Sequence, residues 1–195
     1  MMINLLVCLF LVGVSGEQRL ADISGKYSSA EGIRWRIRSV VYSDIFDEAD
    51  TTYMDFSYSP PDTFSLAGDK EKILGIGDTL WVLSTRHRQV QKKNVEDTVM
   101  PAEFILKWKD NYNLDGSVEK GSNIVFKLSG KEDVKPANLE ITADVKNRIK
   151  SISYMDTKGD QVTLYIQRER LSRPEKHELF YLKIPTGYDF IDLTQ

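Results

Sequence analysis

Cysteine is almost missing from this chain. The single one, Cys8, stands inside an apolar N-terminal run, so residues 17–195 contain none. That excludes disulfides, a thiol nucleophile and cysteine-ligated zinc from this part of the chain. It fits an exported protein whose core is large enough to need no covalent staples. Histidine is nearly as scarce. His87 and His177 lie in polar surroundings far apart, and neither has metal-ligand spacing to another histidine or to a carboxylate pair. Both read as surface residues. There is no serine elbow, no His-Glu-x-x-His pair and no phosphate-cradling loop. The glycines of "GDKEKILGIGD" lack the strand-turn-helix context that a nucleotide loop needs. Neither sign of charge prevails, with 26 basic against 29 acidic residues, so no overall field points to nucleic acid. Low-complexity tracts and solenoid repeats are also lacking. Little is left for an enzyme to work with. The expectation is a non-enzyme with no catalytic residue, cofactor, metal or nucleic-acid partner.

One long apolar run is present, from Ile3 to Val14 within "MMINLLVCLFLVGVSG", and it carries no charged side chain. It falls short of the roughly 20 residues that a membrane span requires. Residues 1–16 therefore read as a secretory signal peptide, with Val14 and Gly16 as the small residues before cleavage; an uncleaved anchor is the alternative. Cys8 follows Val7 and lies early in the run, which does not fit a lipid-attachment signal. Residues 17–195 are long enough for one domain with a large core.

From Glu17 to about Ser29 the apolar residues Leu20, Ile23 and Tyr27 recur at helical spacing, although Gly25 weakens the pattern. The period then drops to two. In "RWRIRSVVY" the arginines 34, 36 and 38 face one way while Trp35 and Ile37 face the other. Met54, Phe56 and Tyr58 repeat the pattern, then Phe64 and Leu66, then "EKILGIGD" and "TLWVLS" across a Gly77-Asp78 turn. "EDTVMPAEFILKWKDNY" suits one helix starting near Pro101, with Val99, Phe104, Ile105 and Trp108 on one face. Strand signals return in "NIVFKLSG", "NLEITAD", "IKSISYMD", "DQVTLYIQR" and "HELFYLKIP". The prediction is an antiparallel sheet of about ten strands, apolar on one face and wet on the other, with two helices as the only elements able to cover the apolar face. "SDIFDEADTT" reads as a solvated hairpin loop rather than a calcium site, since it lacks EF-hand order. "RHRQVQKK" reads as a charged edge strand, with a partner-docking surface as the alternative.

Several segments, in succession, resemble the LolA family of periplasmic lipoprotein carriers. An amphipathic helix follows the apolar leader. "PPDTFSL" is similar to the family's Arg-Pro-x-x-Phe-x-Trp strand. "ILGIGDTLWVL" and "RQV" follow it, and "IPTGYDFIDL" is similar to the family's Pro-x-Gly-x-x-x-Ile-Asp-Leu ending. The resemblance implies an α+β, mainly β fold: an incomplete antiparallel β-barrel of about ten strands under a helical lid, in agreement with the periodicity. It also implies a periplasmic, monomeric carrier. Such a carrier takes the acyl chains of lipoproteins from an inner-membrane lipoprotein-releasing transporter to an outer-membrane receptor. A LolA-fold lipid-binding or sensor protein with another hydrophobic cargo is the alternative. The implied lipid-binding cavity is lined by Trp35, Ile37, Phe56, Tyr58, Phe64, Leu66, Trp81, Phe104, Trp108 and Phe126. Leu80–Leu83 is then cavity wall, or else ordinary core packing. The chain departs from the pattern in three places: Pro60 stands where the family has arginine, Leu66 where it has tryptophan, and Ile37-Arg38 where it shows Phe-x-Gln. The resemblance assigns that arginine to closing the lid, so the closed, empty state is expected to be less stable here; if another residue closes it instead, Arg38 is the first candidate.

Overall fold

The computed structural model describes residues 15–94, 100–174 and 182–194. Helix α1 (Gly16–Ser28) leads into a meander of six strands: β1 (Ile33–Ser43), β2 (Glu48–Ser59), β3 (Thr63–Gly68), β4 (Glu71–Ile76), β5 (Thr79–Ser84) and β6 (Gln89–Asn94). Two single-turn helices, α2 (Glu103–Leu106) and α3 (Trp108–Asn111), precede a second meander. That meander comprises β7 (Tyr112–Lys120), β8 (Asn123–Gly130), β9 (Asn138–Asp144), β10 (Ile149–Met155) and β11 (Gln161–Arg170). The last strand is β12 (Asp189–Asp192). Short turns make consecutive strands antiparallel. The two meanders join where β1 pairs with β11, which gives one 12-stranded sheet in the order β12-β6-β5-β4-β3-β2-β1-β11-β10-β9-β8-β7. The order does not close on itself, so the sheet is an open one with helices on one face.

Register places the alternating apolar residues in continuous rows. One row runs Trp35, Phe56, Leu66, Ile73 and Val82 across β1 to β5, and the next runs Ile33, Tyr58, Phe64, Gly75 and Leu80. In the other half, Phe126, Ile141, Ile152 and Leu164 form an equivalent row. All of these rows lie on the face that the helices cover.

The structure departs from the predicted layout in particular places. Among the described residues there are twelve strands, against the expected number of about ten. β7 escapes a periodicity reading because it is an edge strand whose residues beyond Leu114 are polar or exposed. The predicted single helix at Pro101 is two turns broken at Lys107, whose φ of −112° and ψ of 18° are not helical. Neither turn has a side-chain cap, and β7 starts at Tyr112, which leaves no room for a longer helix. Val99 lies outside the described residues. So do residues 177–181 of "HELFYLKIP", whose remaining residues 182–185 are not strand. "RHRQVQKK" does not form an edge: β12 runs parallel to β6 on its outer side, and Val90 is fully buried. The outer face is also not uniformly wet, because Leu74, Leu83 and Val90 are buried there.

Helix α1 begins at Ser15, whose hydroxyl accepts the Gln18 N–H at 3.1 Å. Leu20, Ile23 and Tyr27 are buried from it against the sheet. A polar latch holds its C-terminal turn. The Tyr27 hydroxyl donates to Glu169 of β11 and accepts the Ile149 N–H of β10 at 3.0 Å. Lys26 Nζ bonds Glu169 at 3.1 Å and the Asn147 carbonyl at 3.0 Å. The Glu169 side chain is only 12% exposed, so solvent screens this pair less than a surface ion pair. Burial and the neighbouring carboxylate push the Tyr27 phenol well above its ordinary range, so it remains a donor at any physiological pH. Arg19 reaches the carbonyls of Asp144 and Val145 in the same β9–β10 turn. Asp144 fixes that turn by accepting from the backbone of Lys146 and Arg148 and from the Arg148 side chain at 2.8 Å.

Three outcomes follow for stability. Tyr27→Phe leaves the Ile149 N–H and Glu169 without their partner and should destabilise the protein by about 1–3 kcal/mol in urea unfolding. Gly25 has open space where a Cβ would sit and lies within α1, so Gly25→Ala should stabilise by roughly 0.5–1 kcal/mol. Burial opposes ionisation of Asp144, but the Arg148 and backbone hydrogen bonds outweigh it and hold its carboxyl below the usual range. A depressed carboxylate contributes stability above its unfolded value and loses it as pH falls through the folded one. The acid limb of a pH–stability curve should therefore flatten in Asp144→Asn.

Candidate functional site

The helix-covered face gathers eight of the ten proposed site residues into one cluster: Trp35, Ile37, Phe56, Tyr58, Phe64, Phe104, Trp108 and Phe126. Leu66 is half-buried and packs against it. Trp81 stands apart. Strand alternation turns Leu80 and Val82 towards the cluster and Trp81 outwards, where its ring meets Phe190 of β12 at 5.9 Å and Lys92 at 6.0 Å. The stretch Leu80–Leu83 is thus divided between the two faces of the sheet.

Under the helices the contacts are aromatic. Tyr27 meets Trp35 edge-on at 5.8 Å, and Trp35 lies 5.5 Å from Phe56. Phe104 of α2 sits 6.4 Å from Tyr112 and 5.3 Å from Tyr154. Offset and edge-on pairs of this kind are favourable beyond their burial. The Phe64 ring lies against the backbone of Gly75, where even a Cβ would approach ring carbons to 2.1 Å, so glycine is what lets Phe64 lie flat on β4. Burial raises the phenols of Tyr58 and Tyr154 and pushes Tyr112 up to about 12. The face therefore stays uncharged across physiological pH.

One polar atom in this setting has no partner. The Nε1 of Trp35, a residue only 2% exposed, is buried without an acceptor between the lid and the sheet. Buried donors are nearly always satisfied, and an exception calls for an explanation.

Arg38 does not reach the lid. It lies on the outer face, stacked 4.5 Å over the ring of Tyr165, so strand parity alone removes it as the lid-closing residue. The polar contacts that tie α1 to the sheet are made instead by Lys26 and Tyr27 with Glu169. Pro60 itself is exposed in the β2–β3 turn, and the Tyr58 hydroxyl donates to the Pro61 carbonyl at 2.8 Å. Sequence reading missed Glu169 because in "QVTLYIQRER" it looks like one more solvated charge. The structure also adds Leu20, Ile23, Ile105, Leu139, Ile141, Ile152 and Leu164 to the cluster. Their spacing marks them as buried but not as neighbours of α1 and α2.

In "SDIFDEADTT", Asp44, Asp47, Glu48 and Asp50 are exposed on the β1–β2 hairpin, and Asp47 accepts from the Tyr42 hydroxyl at 2.5 Å. Among the described residues no three His, Cys, Asp or Glu side chains gather to hold a metal ion. No described helix is long and apolar enough to cross a membrane.

No protein-family model and no curated protein matches the sequence. Solved structures do resemble the fold. An uncharacterised conserved protein from Thermus thermophilus aligns with a TM-score of 0.58 at 13% identity, over 90% of this chain and 98% of its own. A LolA superfamily protein from Nitrosomonas europaea aligns with a TM-score of 0.49 at 11% identity, over 84% and 96%. A putative outer membrane lipoprotein-sorting protein domain from Vibrio parahaemolyticus aligns with a TM-score of 0.48 at 12% identity, over 83% and 93%. At 13% identity the likeness to the Thermus thermophilus protein is one of fold alone.

Proposed function

We propose that this protein is an exported carrier of lipidated proteins. The apolar face between sheet and helices receives the acyl chains. The segment through Gly16 is removed on export, and the carrier takes its cargo from an inner-membrane transporter and delivers it to an outer-membrane receptor. The observation that carries the reading is the make-up of that face: a wide aromatic surface covered by three short helices and held by a small polar latch. Separating such helices from the sheet exposes a continuous apolar surface, and an occupant with hydrocarbon chains restores its burial. The unpaired Trp35 indole N–H gives an acyl ester carbonyl a donor, which a purely apolar core would not. The succession of LolA-like segments in the sequence supports the same reading.

The site consists of Trp35, Ile37, Phe56, Tyr58, Phe64, Leu66, Phe104, Trp108 and Phe126. Placed on the outer face, Trp81 serves to seat β12. The carrier acts as a monomer and needs no cofactor, since it makes and breaks no covalent bond.

The decisive experiment is to recover the processed protein from the periplasmic fraction and identify what travels with it by mass spectrometry. Triacylated lipoproteins are the expected companions. Free phospholipid alone would move the reading to another lipid cargo, and an absence of any acylated species would sink it. Two variants test the site. Phe64→Glu places an unpaired charge on the acyl-binding face, which costs several kcal/mol. It should abolish cargo recovery, with Phe64→Leu keeping it. Glu169→Ala releases the latch and should increase binding of a hydrophobic dye to the empty protein, whereas unchanged dye binding in a folded variant would show that the latch does not control the lid.

A further inference from the structure

The outer face carries a feature that the carrier reading does not use. Arg34 stands directly across from Arg170, and Arg36 across from Arg168, on the neighbouring strands β1 and β11. Opposed side chains of an antiparallel pair have Cβ atoms about 5 Å apart, and like charges there repel. One acid answers them: Arg36 pairs with Asp55 at 2.6 Å. Among the described residues the side chains of Arg34, Arg168 and Arg170 have no ion pair or hydrogen bond. A protein with net charge −3 therefore holds a local excess of positive charge in a single place.

That place is a groove of about 660 Å³. Its geometry is set by a β-bulge. Arg36 pairs with Arg168 while the next residue, Ile37, pairs with Ile166, which leaves Gln167 as the extra residue. Bulges bend a strand and re-aim its side chains. Here the bulge brings the Gln167 amide and the Arg168 guanidinium to the same groove. Ser57 also lines it and is only 3% exposed, and its hydroxyl makes no hydrogen bond with the described residues. The Ser57 hydroxyl lies among the arginines that line the groove and is free to donate to a bound group.

We infer that this groove binds a phosphate-bearing group. Arg34 and Arg36 are two residues apart on one strand, about 7 Å at the usual rise, and so are Arg168 and Arg170 on its neighbour. Three guanidinium groups without an ion pair, with Arg36 held by Asp55 beside them, suit one compact multivalent anion better than a row of separate carboxylates. A phosphate monoester presents close to two charges and three acceptor oxygens, which suits bidentate guanidinium forks with an added hydroxyl and amide donor. The groove lies on the opposite side of the sheet from the proposed acyl site, so the two readings stand or fall separately.

The test uses the full protein and reads thermal unfolding and calorimetric binding with inorganic pyrophosphate. Pyrophosphate should raise the Tm of the wild type beyond the effect of sodium chloride at equal ionic strength. Arg168→Gln/Arg170→Gln should bind it roughly tenfold more weakly or worse, since it loses two charged hydrogen-bond donors. Because that variant removes two repulsive cross-strand pairs, it should itself unfold no lower than the wild type without the anion. Arg86→Gln/Arg88→Gln, in the β5–β6 turn, should bind like the wild type. A second arm measures co-sedimentation with vesicles of phosphatidylglycerol and of phosphatidylcholine. Binding to phosphatidylglycerol that the Arg168/Arg170 variant loses assigns the phosphate to a lipid headgroup; pyrophosphate binding without vesicle binding assigns it to a soluble phosphate. Equal Tm shifts in all three proteins, or binding to poly-glutamate but to neither phosphate source, would overturn the proposal.

Discussion

A single sheet of twelve strands with one apolar face must be covered, and most of this structure answers that constraint. Exposed to water, the rows through Trp35, Phe64 and Phe126 would form an apolar patch far larger than a stable monomer tolerates. A closed barrel would hide the face inside itself. This sheet stays open, so three short helices take on the covering, and α2 and α3 together supply only Phe104, Ile105 and Trp108 from their turns to the cluster. Short helices have little stability of their own. They are held by burial and, for α1, by the latch through Lys26, Tyr27 and Glu169. The cover is therefore the least self-sufficient part of the fold and the part best suited to move.

The latch and the orphaned indole lie side by side. Tyr27 carries the latch hydroxyl, and its ring meets Trp35 edge-on. Moving the end of α1 would take the Tyr27 ring off Trp35, which in turn lies against Phe56. Sheet geometry thus ties the group that holds the lid to the donor that lacks a partner beneath it. The two faces of β1 divide the chain's chemistry in the same way. Its even-numbered arginines gather outside with those of β11, and its odd-numbered apolar residues gather under the helices.

What was legible in the sequence was whatever repeats with a local period. Alternation of period two placed Trp35, Phe56, Tyr58, Phe64 and Leu66 on one face of their strands, and three- and four-residue spacing placed Leu20, Ile23 and Tyr27 on one face of α1. These relations depend only on backbone geometry within one element. β7 and β12 were not legible, because β7 is largely polar and β12 is only four residues long, so each owes its existence to a neighbour's backbone hydrogen bonds and not to a periodic pattern of its own.

Which elements meet was settled only in three dimensions. Glu169 is 142 residues from Tyr27, and nothing near it in the sequence sets it apart from the solvated charges around it. Trp81 sits in a run so apolar that either face was open to it; parity put it outside, and the arrival of β12 beside β6 gave it Phe190 as a neighbour. The bulge at Gln167 is likewise invisible in "LYIQRER", since it arises from pairing with β1. How each strand and helix divides its apolar and polar residues follows from the order of residues alone, because that division is local. Which charges became latch, groove or solvent-facing surface follows from the assembled fold, because that depends on desolvation and on opposition across strands far apart in the chain.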